Sequence, residues 1–341
     1  FVRSREAVGK AGWNPTLVDK PQTLDDLKFN NYFKEMFLDS DTKIALISSS
    51  PSEIERDWFL TNKMMIEARD KVNKEAGSRR MFAHAIFTPG WDGWLEQLEA
   101  ALADKPESIK GYTVGDNTNK DMAKHPWLMD DEKVTYKAYE LCVKYGIKNV
   151  CVHKGLFPRA TAERWPHLLK YAMVDDVGKA AKDWPQLNFV IYHGGYRHAA
   201  AGRAEDGWNE FVETGRVSWV SDLAEIPEKY GVTNVYADVG QLFAQSVAAV
   251  PQLSAALMGI MGKGLGYDRV VWGTDAVWTG SPQWQIEALR RLEIPEDMQK
   301  KYGFKPLGAA DSPLPTSSPC CCSNRLNSAE PASAAMSAFA R

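Results

Sequence analysis

Short apolar runs alternate along this chain with longer amphipathic segments, and the alternation predicts its elements. Seven runs read as strands, at 43–48, 80–87, 108–114, 148–153, 188–193, 233–238 and 269–275. Helices are predicted between them: 52–76 ending at Gly77, 93–103 stopping before Pro106, and 131–145 ending at Gly146, each closed by a residue that terminates helices well. Trp58, Met64, Met65 and Ala68 fall on one face of the first. A further helix is predicted at 24–37, with Thr23 and Asp26 as its capping pair. The strands are apolar on both faces, the mark of a parallel sheet covered by helices. Their spacing, mostly about 40 residues, suits a repeated strand-helix unit. The expected class is therefore α/β, a TIM-like (β/α)8 barrel lacking its first strand. A doubly wound open sheet would carry a glycine-rich loop after its first strand, whereas Ile47-Ser48-Ser49-Ser50-Pro51 has no glycine.

Composition narrows the partners. In 341 residues, 44% hydrophobic and 25% charged, the mean hydropathy is −0.37 and no apolar run approaches the length of a membrane span. A net charge of −3 leaves no cationic surplus for nucleic acid or an anionic membrane, so a small-molecule substrate is expected, with a homodimer as the default assembly. Cys142 and Cys151 sit in apolar stretches, and Cys320, Cys321 and Cys322 are adjacent, so no disulfide framework is present. Free thiols and a cytoplasmic location are expected. From about residue 308 the chain loses its aromatic and β-branched residues, so 1–307 reads as the barrel and 308–341 as a disordered, low-complexity tail.

Chemistry gathers at the C-terminal ends of predicted strands. VCVHKG places His153 there, VIYHGG places His193, and VVWGTDAVW places Asp275. In a parallel barrel these ends share one face, where TIM-barrel enzymes hold their active sites. Imidazole and carboxylate suit a divalent metal and an activated water. Singly, each has a bland reading: a strand-end His is a hydrogen-bonded core group, and Asp275 a turn cap. Together they are harder to explain as packing, because burying ungrouped polar tips costs free energy. Arg197, beyond Gly194-Gly195, is either a clamp for a substrate carboxylate or a surface ion pair. Trp278 and Trp91 are candidates for an aromatic pocket wall, with ordinary packing as the alternative. Lys110 is read as solvated or paired with a carboxylate, His84 as a satisfied interior imidazole, and His125 and His167 as structural.

These residues carry a resemblance. With the FLDSDTK segment at 37–43 and WLMDDEK at 127–133, the chain resembles, from about residue 23 to 307, the amidohydrolase-related family that includes metal-dependent decarboxylases related to aminocarboxymuconate semialdehyde decarboxylase. The resemblance implies a TIM-like barrel with one divalent metal ion, commonly zinc. It implies His153 as a metal ligand, Asp275 as ligand or activator of bound water, and His193 as acid/base or substrate-polarising group. The family's first strand ends in a His-x-His pair that this chain lacks, its six histidines being His84, His125, His153, His167, His193 and His198. The expectation is that this strand lies upstream of Phe1. The implied function is a metal-dependent hydrolase using a metal-activated water. The alternatives are non-oxidative decarboxylation of a carboxylated substrate and a truncated, inactive barrel. A two-His-one-carboxylate iron oxygenase shares the ligand types, but the strand-helix alternation argues against it.

Overall fold

The computed structural model describes residues 1–54, 58–199 and 202–307. The predicted tail, 308–341, lies outside the described residues. Among the described residues seven parallel strands form one curled sheet in sequential order: β1 Ala45–Ile47, β2 Met81–Ile86, β3 Ser108–Tyr112, β4 Asn149–His153, β5 Asn188–Tyr192, β6 Val235–Asp238 and β7 Val270–Val271. The register runs unbroken through the centre, pairing Tyr112 with His153 and His153 with Tyr192. β1 and β7 are its edges. Helices flank the sheet as expected for a TIM-like part-barrel, and every residue of β2, β3 and β4 is buried, because one face points inward and the other is covered by helices.

The helix ends follow the predicted punctuation. Asn62–Ala76 ends at Gly77 and Tyr136–Tyr145 at Gly146, both glycines at positive φ, while Trp94–Ala103 stops shortly before Pro106. The beginnings differ. The helix expected from residue 52 starts at Asn62, where Thr61 caps it by accepting the Met64 N–H and the Asn62 amide bonds both backbone groups of Ile86. Trp58 is therefore not on its face; its indole N–H donates to the Ser52 carbonyl and its ring meets Trp91. The helix expected from residue 131 starts at Tyr136, since the Asp131 carboxylate accepts the Lys133 and Val134 N–H groups in a preceding turn. The segment 24–37 breaks into a 3₁₀ turn at Leu24–Leu27, a short helix at Phe29–Phe33 and a wider turn at Lys34–Leu38, although the Thr23–Asp26 capping pair forms as expected.

Two further features position the site. β7 ends at Val271, so residues 272–275, expected as strand, run as irregular chain. A helix at Val2–Lys10 was not anticipated. Its Arg5 is buried, pairs with Glu35 at 2.7 Å, and donates to Gln22 and to the Val277 carbonyl, tying the N-terminal region to the segment after β7. Cys142 and Cys151 are free and buried. Among the described residues no helix is long and apolar enough to cross a membrane.

Candidate functional site

The C-terminal rim of the sheet carries the site. His153 ends β4, His193 follows β5, Asp238 ends β6, and Asp275 lies four residues beyond β7. All four line one cavity of about 1540 Å³, together with Lys110 of β3. The rings of His153 and His193 meet edge to face at 4.9 Å, and Tyr112 stacks on His153 at 4.9 Å. Residues far apart in sequence thus converge because neighbouring parallel strands end on the same side.

The loops behind the histidines are laced together. Leu156 N–H donates to the Tyr196 carbonyl at 2.8 Å and Phe157 N–H to that of Arg197 at 3.0 Å. Gly155 makes this possible: its φ is +76°, and a Cβ there would lie 2.5 Å from the backbone of Gly195. Next to His153, the fully buried Lys154 pairs with Asp176 at 2.7 Å, and Asp176 also accepts the Met129 N–H.

Protonation states follow from burial. His193 Nδ1 accepts the Gln241 N–H at 3.0 Å, which leaves the imidazole proton on Nε2. Desolvation pulls the His193 pKa down to about 4, against the attraction of Asp275 and assisted by Lys110, so the ring is neutral near pH 7. Desolvation, then His193 and the Lys110 and Lys120 cations, hold His153 well below the usual imidazole range. Asp238 moves the other way: desolvation first and the Asp275 charge second push it up to about 7, opposed by Lys110 and a main-chain hydrogen bond from His193. The carboxyl is poised between its two forms at neutral pH.

Metal binding is a separate question of donor count. His153 and Asp275 suit a divalent cation in kind, but His193 Nδ1 is already engaged by Gln241. A catalytic divalent site generally takes three protein ligands and a water. Among the described residues no group of three or more His, Cys, Asp or Glu side chains is placed to hold a metal ion. The described residues therefore do not form a complete metal centre by themselves.

The other sequence candidates are distributed as follows. Trp278 lines the cavity and meets Phe1 and Phe59 edge to face, at 5.5 and 5.2 Å. Arg197 does not line it: its Nε donates to the Phe157 carbonyl at 3.4 Å and its guanidinium lies over Trp219 at 5.3 Å. His84 is satisfied in the interior by Ser108 Oγ at 2.6 Å and the Tyr192 hydroxyl at 2.8 Å. His125 and His167 are exposed, and His198 bonds Glu210 at 3.1 Å. Lys110 corrects its expectation of a solvated or carboxylate-paired charge. It is buried, donates to Ser48 Oγ at 2.6 Å, and lies 4.0 Å from the Tyr192 ring centre. Asp238 was missed, although it is the last residue of a predicted strand and answers the same strand-end criterion as His153.

A family model described as "Amidohydrolase" matches residues 79–303. No curated protein matches the chain. Among solved structures, an uncharacterized TIM-barrel protein from Bordetella bronchiseptica is similar over 87% of this chain and 86% of its own, at 16% identity and a TM-score of 0.54. A 2,6-dihydroxybenzoate decarboxylase from Rhizobium is similar over 71% of this chain and 74% of its own, at 14% identity and a TM-score of 0.37. A 5-carboxyvanillate decarboxylase from Sphingomonas paucimobilis is similar over 72% and 71%, at 13% identity and a TM-score of 0.38.

Proposed function

The chain belongs to the amidohydrolase family, enzymes of the hydrolase and lyase type, and from that premise we propose that it hydrolyses a small organic substrate at the cavity shared by His153, His193, Asp238 and Asp275. The observation that supports this most is the convergence of two imidazoles and two carboxyl groups, from four different strand ends, on one cavity.

The roles follow from the atoms. His193 is held by Gln241 with its Nε2–H free to donate to a substrate carbonyl oxygen, and a neutral ring does this without adding buried charge. The Asp275 carboxylate accepts a proton from the attacking water, and Asp238 in its protonated form donates one to the leaving group. The Asp275 charge helps raise the Asp238 pKa to about 7, so that this carboxyl can hold a proton near neutrality, as a general acid requires. Among the described residues, His153 and Asp275 would be the donors to a divalent ion, zinc by their type. Such an ion, when bound, supplies Lewis acidity and a water acidified toward neutrality.

Non-oxidative decarboxylation is the second reading, and Asp238 is the observation favouring it. A carboxyl that holds its proton near neutrality can deliver that proton to the carbon whose bond to the departing carbon dioxide breaks.

The test is turnover of a panel of lactones, aryl esters and carboxylated phenols by the purified full chain, with and without added Zn²⁺ or Mn²⁺. Hydrolysis that falls about 10²-fold or more in His193→Gln and in Asp275→Asn supports the first reading. Release of carbon dioxide without ester or lactone cleavage supports the second, and no turnover of any member under any metal condition defeats both.

A further inference from the structure

Lys110 is the buried charge that the proposed reaction leaves without a task. It is 5% exposed, faces the cavity, and forms no ion pair among the described residues. Its Nζ has one hydrogen-bond acceptor, Ser48 Oγ, and lies over the rings of Tyr192 and Tyr112 at 4.0 and 5.1 Å. Ring faces and one hydroxyl do not replace the hydration of an ammonium, which has three protons to donate. A second observation concerns the same cavity. Ser50, 8% exposed and also lining the cavity, has a hydroxyl with no hydrogen-bond partner among the described residues. Two unmet donor groups, one of them cationic, thus share one cavity.

We propose that Lys110 and Ser50 form a subsite for a carboxylate group of the substrate, placed apart from the group that reacts. The ammonium donates to one carboxylate oxygen while the anion neutralises it, and the Ser50 hydroxyl donates to the carboxylate as well. A point-charge donor and one hydroxyl match a two-oxygen anion. The Tyr112 ring, between Lys110 and His153, and the Tyr192 ring beneath Nζ form an aromatic floor from this subsite to the reacting groups. The substrate class is accordingly a small carboxylic acid with a flat apolar or aromatic body. This deepens the proposed function and rests on it for the statement that the ligand is a substrate. The carboxylate-holding role considered for Arg197 passes to Lys110, since Arg197 does not line the cavity.

The test is binding, read by calorimetry on the full chain with benzoate and with benzamide, which has the same outline without the charge. Benzoate is expected to bind at least about tenfold more tightly than benzamide. Lys110→Met removes that preference, Lys110→Arg keeps most of it, and Ser50→Ala weakens benzoate binding severalfold. Circular dichroism establishes that each variant is folded; if Lys110→Met is not, the arginine and Ser50→Ala variants decide. Equal affinity for the two probes, no saturable benzoate binding, or unchanged benzoate binding in Lys110→Met overturns the proposal. Displacement of benzoate by inorganic phosphate at equal affinity also overturns it, in favour of a phosphate site. His193→Gln, which lowers turnover about 10²-fold or more under the proposed function, leaves the benzoate preference intact. Failure of catalysis and failure of the subsite are thereby told apart.

Discussion

The carboxylate of Asp238 fills the space that a side chain on Gly273 would occupy: a Cβ built there lies 1.9 Å from Asp238 Oδ2. Residue 273 sits in the irregular segment just after β7 and two positions before Asp275. The absence of a side chain therefore lets the end of β6 and the segment carrying Asp275 approach closely. Gly273→Ala forces the carboxyl or the segment aside. The expected cost is about 1–3 kcal/mol of stability, measured by urea unfolding. Wild-type stability in that variant would show that the approach is not as close as described.

The same carboxyl makes stability depend on pH. Its folded pKa, about 7, lies above the ordinary aspartate value, so the folded state binds more protons than the unfolded state between roughly pH 4 and 7. The associated stabilisation is full below pH 4 and is lost as pH rises through 7, a swing on the order of 4 kcal/mol. Asp238→Asn removes this dependence. The variant should gain stability relative to wild type on going from pH 5 to pH 8, as read by urea unfolding at the two values.

His193 has the opposite sign. Its folded pKa of about 4 lies below the ordinary imidazole value, so its contribution is present above about pH 6.5 and fades as pH falls through 4. Proton-nitrogen correlation spectra should show this ring neutral with its proton on Nε2 from pH 8 down to about 5. An imidazolium signal at pH 6, or a proton on Nδ1, would contradict the Gln241 hydrogen bond and the polarising role derived from it.

Lys154 and Asp176 stabilise as a pair and not singly. Both are buried, and desolvation lowers the lysine pKa despite its partner. Lys154→Met leaves a buried carboxylate uncompensated and should cost about 3–5 kcal/mol, seen as a large fall in Tm. Replacing both, as Lys154→Met with Asp176→Leu, should recover part of that loss; a double variant as unstable as the sum of the singles would deny the pairing.

Much of this protein was legible along the chain, for stated reasons. Apolar runs located all seven strands because a sheet buried on both faces tolerates few polar residues. Gly77 and Gly146 marked helix ends because each takes a positive φ. The strand-end rule singled out His153, His193 and Asp275, which line one cavity, the histidines through parallel strand direction and Asp275 from the irregular chain beyond β7. Helix starts were less readable, since Thr61 and Asp131 compete with the apolar pattern through local hydrogen bonds that periodicity does not register.

Tertiary structure decided the rest. Burial is a property of all neighbours at once, so no sequence rule separated Lys110, enclosed over Tyr192, from Arg197, turned onto Phe157 and Trp219. Nor did one reveal that Asp238 stands where desolvation and Asp275 keep its proton near neutrality. The sequence by itself determined which strands run together and which residues stand at their ends, because those depend on local pattern and chain direction. Only the folded chain decided which charges are enclosed, which are paired and which ring nitrogen holds a proton, because electrostatic free energy depends on the distances and solvent exposure that folding creates.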